Sequence, residues 1–286
     1  MAIPIATTAA KATALKALHV PGTPLRLANV YDAASARAVA ALPGCRALAT
    51  ASYALAQTVG KTDETLSLDD TISLVRPIAA VAAEPNTNLP LTVDLQDGYA
   101  GPGDMARLRE VVGLAITELG AAGANIEDSW HENAAGEMMG EDEAVARIGA
   151  VLGAAAELGV RDFVLNARSD AFHVGAPGGL DESIRRGKRY LQAGATTVFI
   201  LGPRAAEMRA EDVRRAADEL GGMVNVMYRP GGTLTAGHLA RLGVARISMG
   251  PQLYLAAAEA RSKAASDEAV ADVLREKAGE LFGDGV

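Results

Sequence analysis

Apolar runs of strand length alternate with helical periodicity along almost the whole chain. The runs are LRLANVYD (25–32), CRALATAS (45–52), LPLTVDLQDG (89–98), GANIEDS (123–129), DFVLNARSD (162–170), ATTVFILG (195–202), GMVNVMY (222–228) and GVARISMG (243–250). Between them, stretches such as 104–123, 141–159, 180–194 and 209–222 repeat apolar residues every three or four positions, with charges on the opposite face. Gly120, Gly159, Gly194 and Gly243 stand where such helices should end, as left-handed caps before the next strand. Asp181 and Asp212 fall near helix starts, where an acid complements the dipole. This alternation predicts parallel βαβ units. Eight of them, each about 31 residues long, predict an α/β fold of the (β/α)8-barrel class. An open doubly wound sheet is disfavoured, because no GxGxxG or phosphate-binding loop follows the first run. The pattern reads as one domain over 1–286, with an N-terminal helix inside 1–22 and a C-terminal helical extension over 251–286.

Composition narrows the setting. Hydrophobic residues make up 49 % of the chain and aromatic ones only 4 %, which suits Ala-rich helices packed closely on buried strands. The net charge of −8 and the lack of any Lys/Arg run argue against a nucleic-acid partner. A small anion could still be held by local Arg residues and backbone N–H groups. Cys45 is the single cysteine, so no intrachain disulfide forms; at the start of the second run it reads as a small buried hydrophobe. No apolar run approaches the ~20 residues of a membrane span, and residues 1–22 lack a signal-peptide core. The expectation is a cytoplasmic protein with no membrane partner.

In a barrel of this class, polar residues at the carboxyl ends of strands read as the site. Here those ends carry Asn29 and Asp32, Thr50 to Tyr53, Asp94, Gln96 and Asp97, Glu127 to Ser129, Asn166, Arg168 and Asp170, then Asn225 and Ser248. Alternate side chains share a face, so Asp94 and Gln96 should enter the mouth together, as should Asn166 and Arg168. Any single carboxylate there could equally cap the helix that follows. Several acids in one mouth need a cation or an Arg among them.

These residues also carry a resemblance. The segment NVYDAASARAVAALPGCRALATASYALAQTVGKTD resembles the opening of the isocitrate lyase/phosphoenolpyruvate mutase superfamily. VDLQDGYAG resembles its Asp-x-Asp-x-Gly-Tyr-Gly metal motif, NIEDS its Ile-Glu-Asp and NARSD its Ala-Arg-Thr-Asp. The order and spacing agree from about residue 25 to 255. The resemblance implies a Mg2+ site, with Mn2+ as a substitute, acting on a small 2-oxo- or 2-hydroxy-(di)carboxylate by breaking or making a C–C or P–C bond. By matching position, Asp94 would be the direct metal ligand, with Gln96 at the second motif position, and Asp63 and Glu127 would hold metal-bound waters. Arg168 would pair with the substrate carboxylate and a developing enolate. Backbone N–H groups at Ala51, Ser52 and Tyr53 would take the other anionic end, with Asn225 also lining the substrate.

Departures from the pattern shape the functional reading. Gln96 replaces an acid, and the lyases' Cys-containing loop after Glu127 is absent, as is the mutases' gating sequence. His131, close after Glu127, could supply the missing acid or be a loop histidine at the surface; His173 is a weaker candidate. Trp130 with Met138 and Met139 could form an apolar lid or an oligomer contact. The loop from Tyr228 to Gly232 could offer Arg229 to a distal carboxylate or be an ordinary connection. The leading expectation is a C–C lyase or hydrolase working through an enolate-like intermediate. The alternatives are a phosphonopyruvate-type P–C hydrolase or mutase and a non-catalytic oxo-acid-binding barrel. A homo-oligomer, tetramer or dimer, is implied by the resemblance. The apolar tail positions Val270, Val273, Leu274, Leu281 and Phe282 ask for a covering surface that a neighbouring subunit could provide.

Overall fold

The computed structural model describes residues 3–131, 136–204, 206–263 and 266–283. Its strands are β1 (Leu25–Leu27), β2 (Asn29–Val30), β3 (Leu48–Thr50), β4 (Leu91–Asp94), β5 (Gly123–Glu127), β6 (Val164–Ser169), β7 (Thr197–Ile200), β8 (Val224–Met227) and β9 (Arg246–Ser248). Every one of the eight apolar runs contributes, and every pairing is parallel. The first run supplies two segments separated by Ala28 alone. β1 pairs with β9 and β2 with β3, so that run is flanked on both sides and the sheet closes into a barrel. Asn29 laces this change of partner. Its Oδ1 accepts the N–H groups of Met249 (2.9 Å) and Gly250 (3.0 Å), while its Nδ2 donates to the Thr50 carbonyl at 2.7 Å. A strand-end amide that could have belonged to the site is therefore a structural stitch. Asp32 likewise caps the following helix, accepting from Ser35 N at 2.7 Å.

The surrounding helices are α1 (Ile5–Ala17), α2 (Ala33–Ala40), α3 (Ser52–Thr58), α4 (Leu68–Ala83), α5 (Met105–Leu119), α6 (Glu141–Glu157), α7 (Ala171–Val174), α8 (Leu180–Gln192), α9 (Ala210–Glu219), α10 (Ala236–Arg241), α11 (Gln252–Ser262) and α12 (Asp267–Gly283). The four expected cap glycines all have positive φ. Buried apolar residues of the strands and inner helix faces join one core, from Leu15 through Val93, Ile126 and Val198 to Leu281.

The tail departs from expectation. α12 lies against α11, α2 and β1 of its own chain, burying Val270, Leu274, Ala278 and Leu281. Arg26 Nη1 holds its end, donating to the Leu281 (3.1 Å) and Phe282 (3.2 Å) carbonyls. Apolar residues on one face of a helix need covering, but pattern alone does not say by which chain. Here the barrel's own α2 and α11 do it. Cys45 also differs: it precedes β3 and is half-buried rather than buried, with burial pushing its thiol up to about 11.

Candidate active site

The carboxyl ends of β3 to β7 open into a cavity of about 440 Å3 whose walls include Tyr53, Asp63, His131, Arg168, His173 and Arg204. Parallel strands with helices outside leave these ends facing one mouth, as the barrel class dictates.

Ser52 organises the acidic side. Its backbone N–H donates to Asp94 Oδ2 at 2.9 Å, and its hydroxyl hydrogen-bonds Asp63. Asp63 comes from a 3-10 turn at Asp63–Thr65, remote in sequence from the strand end that carries Asp94. Burial, and then the charge of Asp94, push the Asp63 carboxyl above its ordinary value, although Ser52, His131 and Arg168 act against the rise. The two acids thus face one another. The Ser52 N–H expected to grip a substrate already has a carboxylate partner.

Gln96 reaches the site through an unusual backbone. Among the described residues only Asn88, Gln96 and Tyr99 combine a side chain with positive φ, and two of these lie in the turn after β4. Such conformations cost energy and persist where the surroundings enforce them. Gln96 Nε2 donates to the Asp63 carbonyl (2.7 Å) and carboxylate (3.0 Å) and lies 3.3 Å from His131 Nδ1. It therefore positions Asp63. Asp97, on the other face of the chain, accepts the N–H groups of Tyr99 (2.9 Å) and His131 (3.1 Å) and so ties two loops together.

The opposite wall is a chain of ion pairs. Arg168 donates through Nε (2.6 Å) and Nη2 (3.0 Å) to Asp170 and through Nη1 to Glu127 Oε2 at 2.6 Å. Burial lowers the Arg168 pKa, but the charges of Asp170 and Glu127 more than reverse this, so the guanidinium stays charged. The other oxygen of Glu127 meets His131 Nε2 at 2.5 Å. Burial pushes the Glu127 carboxyl up to about 7 against the pull of Arg168 and His131. Burial would lower His131, yet Glu127 and then Asp63 and Asp97 raise it to about 9. Asp170 also accepts Ser129 Oγ at 2.6 Å, and its N–H donates to Asp128 at 2.8 Å. Asp128 in turn is held by Arg186 and Tyr190. Asp170 and Ser129 were visible as polar strand ends, but nothing in their spacing marked them as the orienting partners of Arg168.

Of the other expected residues, Trp130 and His173 line the cavity, whereas Asn225, Ala51, Met139 and Arg229 do not. Asn225 is wholly buried inside the barrel, bonded to Ser248 Oγ at 3.1 Å, and does not line the cavity. It belongs to a polar layer beneath the mouth, where Asn166 links Thr197 and Asn125 and the latter also accepts Arg246 Nη2. Ala51 is buried as the residue preceding α3. Trp130 packs under Arg147, 5.1 Å from ring centre to guanidinium carbon, and Met139 is buried in the core rather than laid over the mouth. Residues 132–135 of that loop lie outside the described residues. Arg229 turns away from the cavity toward the Ala206 carbonyl. His173 Nδ1 meets the Gly202 carbonyl at 2.9 Å, and burial keeps its pKa low.

The site's donors fit a divalent ion in one place. Half-buried Asp63 and buried Asp94 form an acidic pair whose mutual repulsion a cation would relieve. Mg2+ characteristically takes one or two carboxylates and keeps several waters; among the described residues no cluster of three or more acid, His or Cys ligands is present. Glu127 has both oxygens engaged by His131 and Arg168.

Comparison with known proteins identifies the family and the fold. The family model described as phosphoenolpyruvate phosphomutase matches residues 15–269. An uncharacterised protein of Mycobacterium tuberculosis is 31 % identical over 248 residues, covering 87 % of this chain and 86 % of the relative. The crystal structure of a "putative phosphonomutase" from Burkholderia cenocepacia J2315 superposes with a TM-score of 0.78 at 36 % identity, covering 90 % of this chain and 97 % of that one. The structure of 2,3-dimethylmalate lyase superposes at 0.73 with 25 % identity, covering 92 % and 94 %.

Proposed function

Because the chain belongs to the phosphoenolpyruvate mutase/isocitrate lyase superfamily, we propose that it is a Mg2+-dependent lyase or hydrolase that cleaves a C–C bond of a small 2-oxo- or 2-hydroxy-carboxylate. The observation that carries the reading is an acidic pair, Asp63 on the cavity wall with the charge of Asp94 felt beside it, in the same mouth as a cationic wall built on Arg168. Asp94 and Asp63 would hold the ion, with Gln96 fixing Asp63. When bound, Mg2+ supplies Lewis acidity toward the oxygen that becomes negative as the bond breaks.

The protein's own groups supply orientation and proton handling. Arg168 uses three of its five N–H donors on Asp170 and Glu127, which leaves one on each terminal nitrogen for a substrate carboxylate or enolate. Its orientation is set before substrate arrives, so little reorganisation is needed during reaction. Glu127 and His131 hold a proton between Oε1 and Nε2 at the cavity wall. Raised to about 9, His131 is the acid that would protonate a developing carbanion in the absence of a loop cysteine. A phosphonopyruvate-type substrate is a second reading, favoured by the 36 % identity to the Burkholderia protein. We also propose that the enzyme is a homo-oligomer, most simply a tetramer.

The test is calorimetric titration of pyruvate, oxaloacetate and 2-oxoglutarate with and without Mg2+, alongside product analysis. Asp94→Asn should abolish Mg2+-dependent binding. Asp97→Asn, which loosens the Tyr99 and His131 loops, should retain it. Full Mg2+ binding by Asp94→Asn would sink the assignment.

A further inference from the structure

The cavity holds more positive groups than the proposed chemistry uses. Arg168 is tied to Asp170 and Glu127, His131 to Glu127, and His173 to a carbonyl. Arg204, exposed in the loop between β7 and α9, lines the same cavity. It has no hydrogen-bond or ion-pair partner among the described residues; its charge is felt at Glu64 and His173. Glu64 is itself satisfied by its own N–H and by Thr62, so it does not claim the guanidinium. Meanwhile, of the Ala51, Ser52 and Tyr53 N–H groups expected to take the far end of the substrate, that of Ser52 is committed to Asp94. Among the described residues the mouth therefore has one guanidinium fixed in the wall and one uncommitted at the rim, both lining a cavity of about 440 Å3.

We propose that Arg204 is a second anion-binding group of the mouth, taking the far carboxylate or phosphonate of a substrate whose near carboxylate lies on Arg168. The inference rests on the oxo-acid reading and adds the residue that meets the far charge of a substrate anionic at both ends. A monoanion would satisfy Arg168 alone and leave Arg204 in solvent. Either far group suits a guanidinium fork, since both offer two oxygens in one plane.

The probes are pyruvate, with one carboxylate, oxaloacetate, with two, and phosphonopyruvate, with a carboxylate and a phosphonate. Each is titrated with Mg2+ into the full chain, Arg204→Gln and Arg204→Lys. Losing one charge-assisted contact should weaken oxaloacetate by about 10- to 100-fold in Arg204→Gln. Phosphonopyruvate should weaken by at least as much, and pyruvate should keep its affinity. Arg204→Lys, which keeps a point charge, should recover part of the loss. The proposal is overturned if Arg204→Gln binds oxaloacetate and phosphonopyruvate as tightly as the unmodified chain, or loses pyruvate equally. That result leaves the oxo-acid reading standing, because pyruvate still reports on Arg168. If the unmodified chain binds none of the three, both fall together. The two arms also separate the sources, since the larger loss marks the far group that Arg204 meets better.

Discussion

Arg168 is the side chain on which the cationic wall depends. Lysine there keeps the charge but cannot make the side-on fork to Asp170 while reaching Glu127. Arg168→Lys should therefore lose at least ~10-fold in oxo-acid affinity and about 2–4 kcal/mol of stability to urea, the scale of one or two charge-assisted hydrogen bonds. Unchanged affinity and midpoint would reduce Arg168 to scaffold. His131 has a pH signature. In the folded chain its pKa is raised to about 9, above the ordinary histidine value of about 6.5. Its contribution to stability is thus fully present below about 6.5 and lost as pH rises through about 9, amounting to at most about 3 kcal/mol. Urea midpoints measured across that window should fall in the unmodified chain. In His131→Gln the fall should be shallower. An identical slope in both would mean that another group titrates there.

At the scale of elements, the turn between β4 and α5 places two site loops at once. It puts Gln96 and Tyr99 at positive φ on either side of Gly98, which has φ +86°. A Cβ at Gly98 would collide with Leu108 Cδ1 and crowd Arg147 Nη2. Gly98→Ala combines backbone strain with overpacking, so it should cost about 2–4 kcal/mol. It should also weaken oxo-acid binding by displacing Gln96 from Asp63 and Asp97 from His131. A melting temperature equal to that of the unmodified chain would show that the turn relaxes freely. The motif reading singled out this segment for its acids. Its mechanical role was legible only in the glycine, because φ and the approach of α5 depend on packing.

For the whole molecule, α12 decides what assembly can mean. Its apolar face is spent on its own barrel, so a chain ending at Lys263 should be destabilised in itself, by uncovering α2, α11 and β1. The four buried tail residues predict a loss of several kcal/mol, since large-to-small changes at a single core site already cost about 2–5 kcal/mol. A tetramer, as proposed, would then use other surfaces, and exposed Val59 and Leu255 are among the apolar groups left outside. Sedimentation of the full chain should give a species several times its 29.4 kDa mass. A monodisperse 29.4 kDa species would defeat the oligomer proposal, and a truncated chain as stable as the full one would contradict the covering role of α12. Among the described residues no helix is long and apolar enough to cross a membrane.

Sequence by itself determined the eight-unit barrel, the cap glycines and the end of the barrel at which chemistry gathers. Those features are periodic or local, and a run of Val and Leu between helical repeats has few other ways to bury itself. It also placed Asp94, Glu127 and Arg168 on neighbouring strand ends, since strand alternation is a property of the backbone. Tertiary structure alone decided which polar group meets which. Asp32 became a helix cap and Asn29 a barrel stitch, although both share the strand-end position of true mouth residues. Ser52 N–H went to Asp94, both Glu127 oxygens to cations, Asn225 into the interior, and Arg204 to the rim. Each outcome turns on distances of a few ångströms between loops far apart in sequence. Hydrogen bonding and charge are decided at that range, and no one-dimensional spacing encodes it.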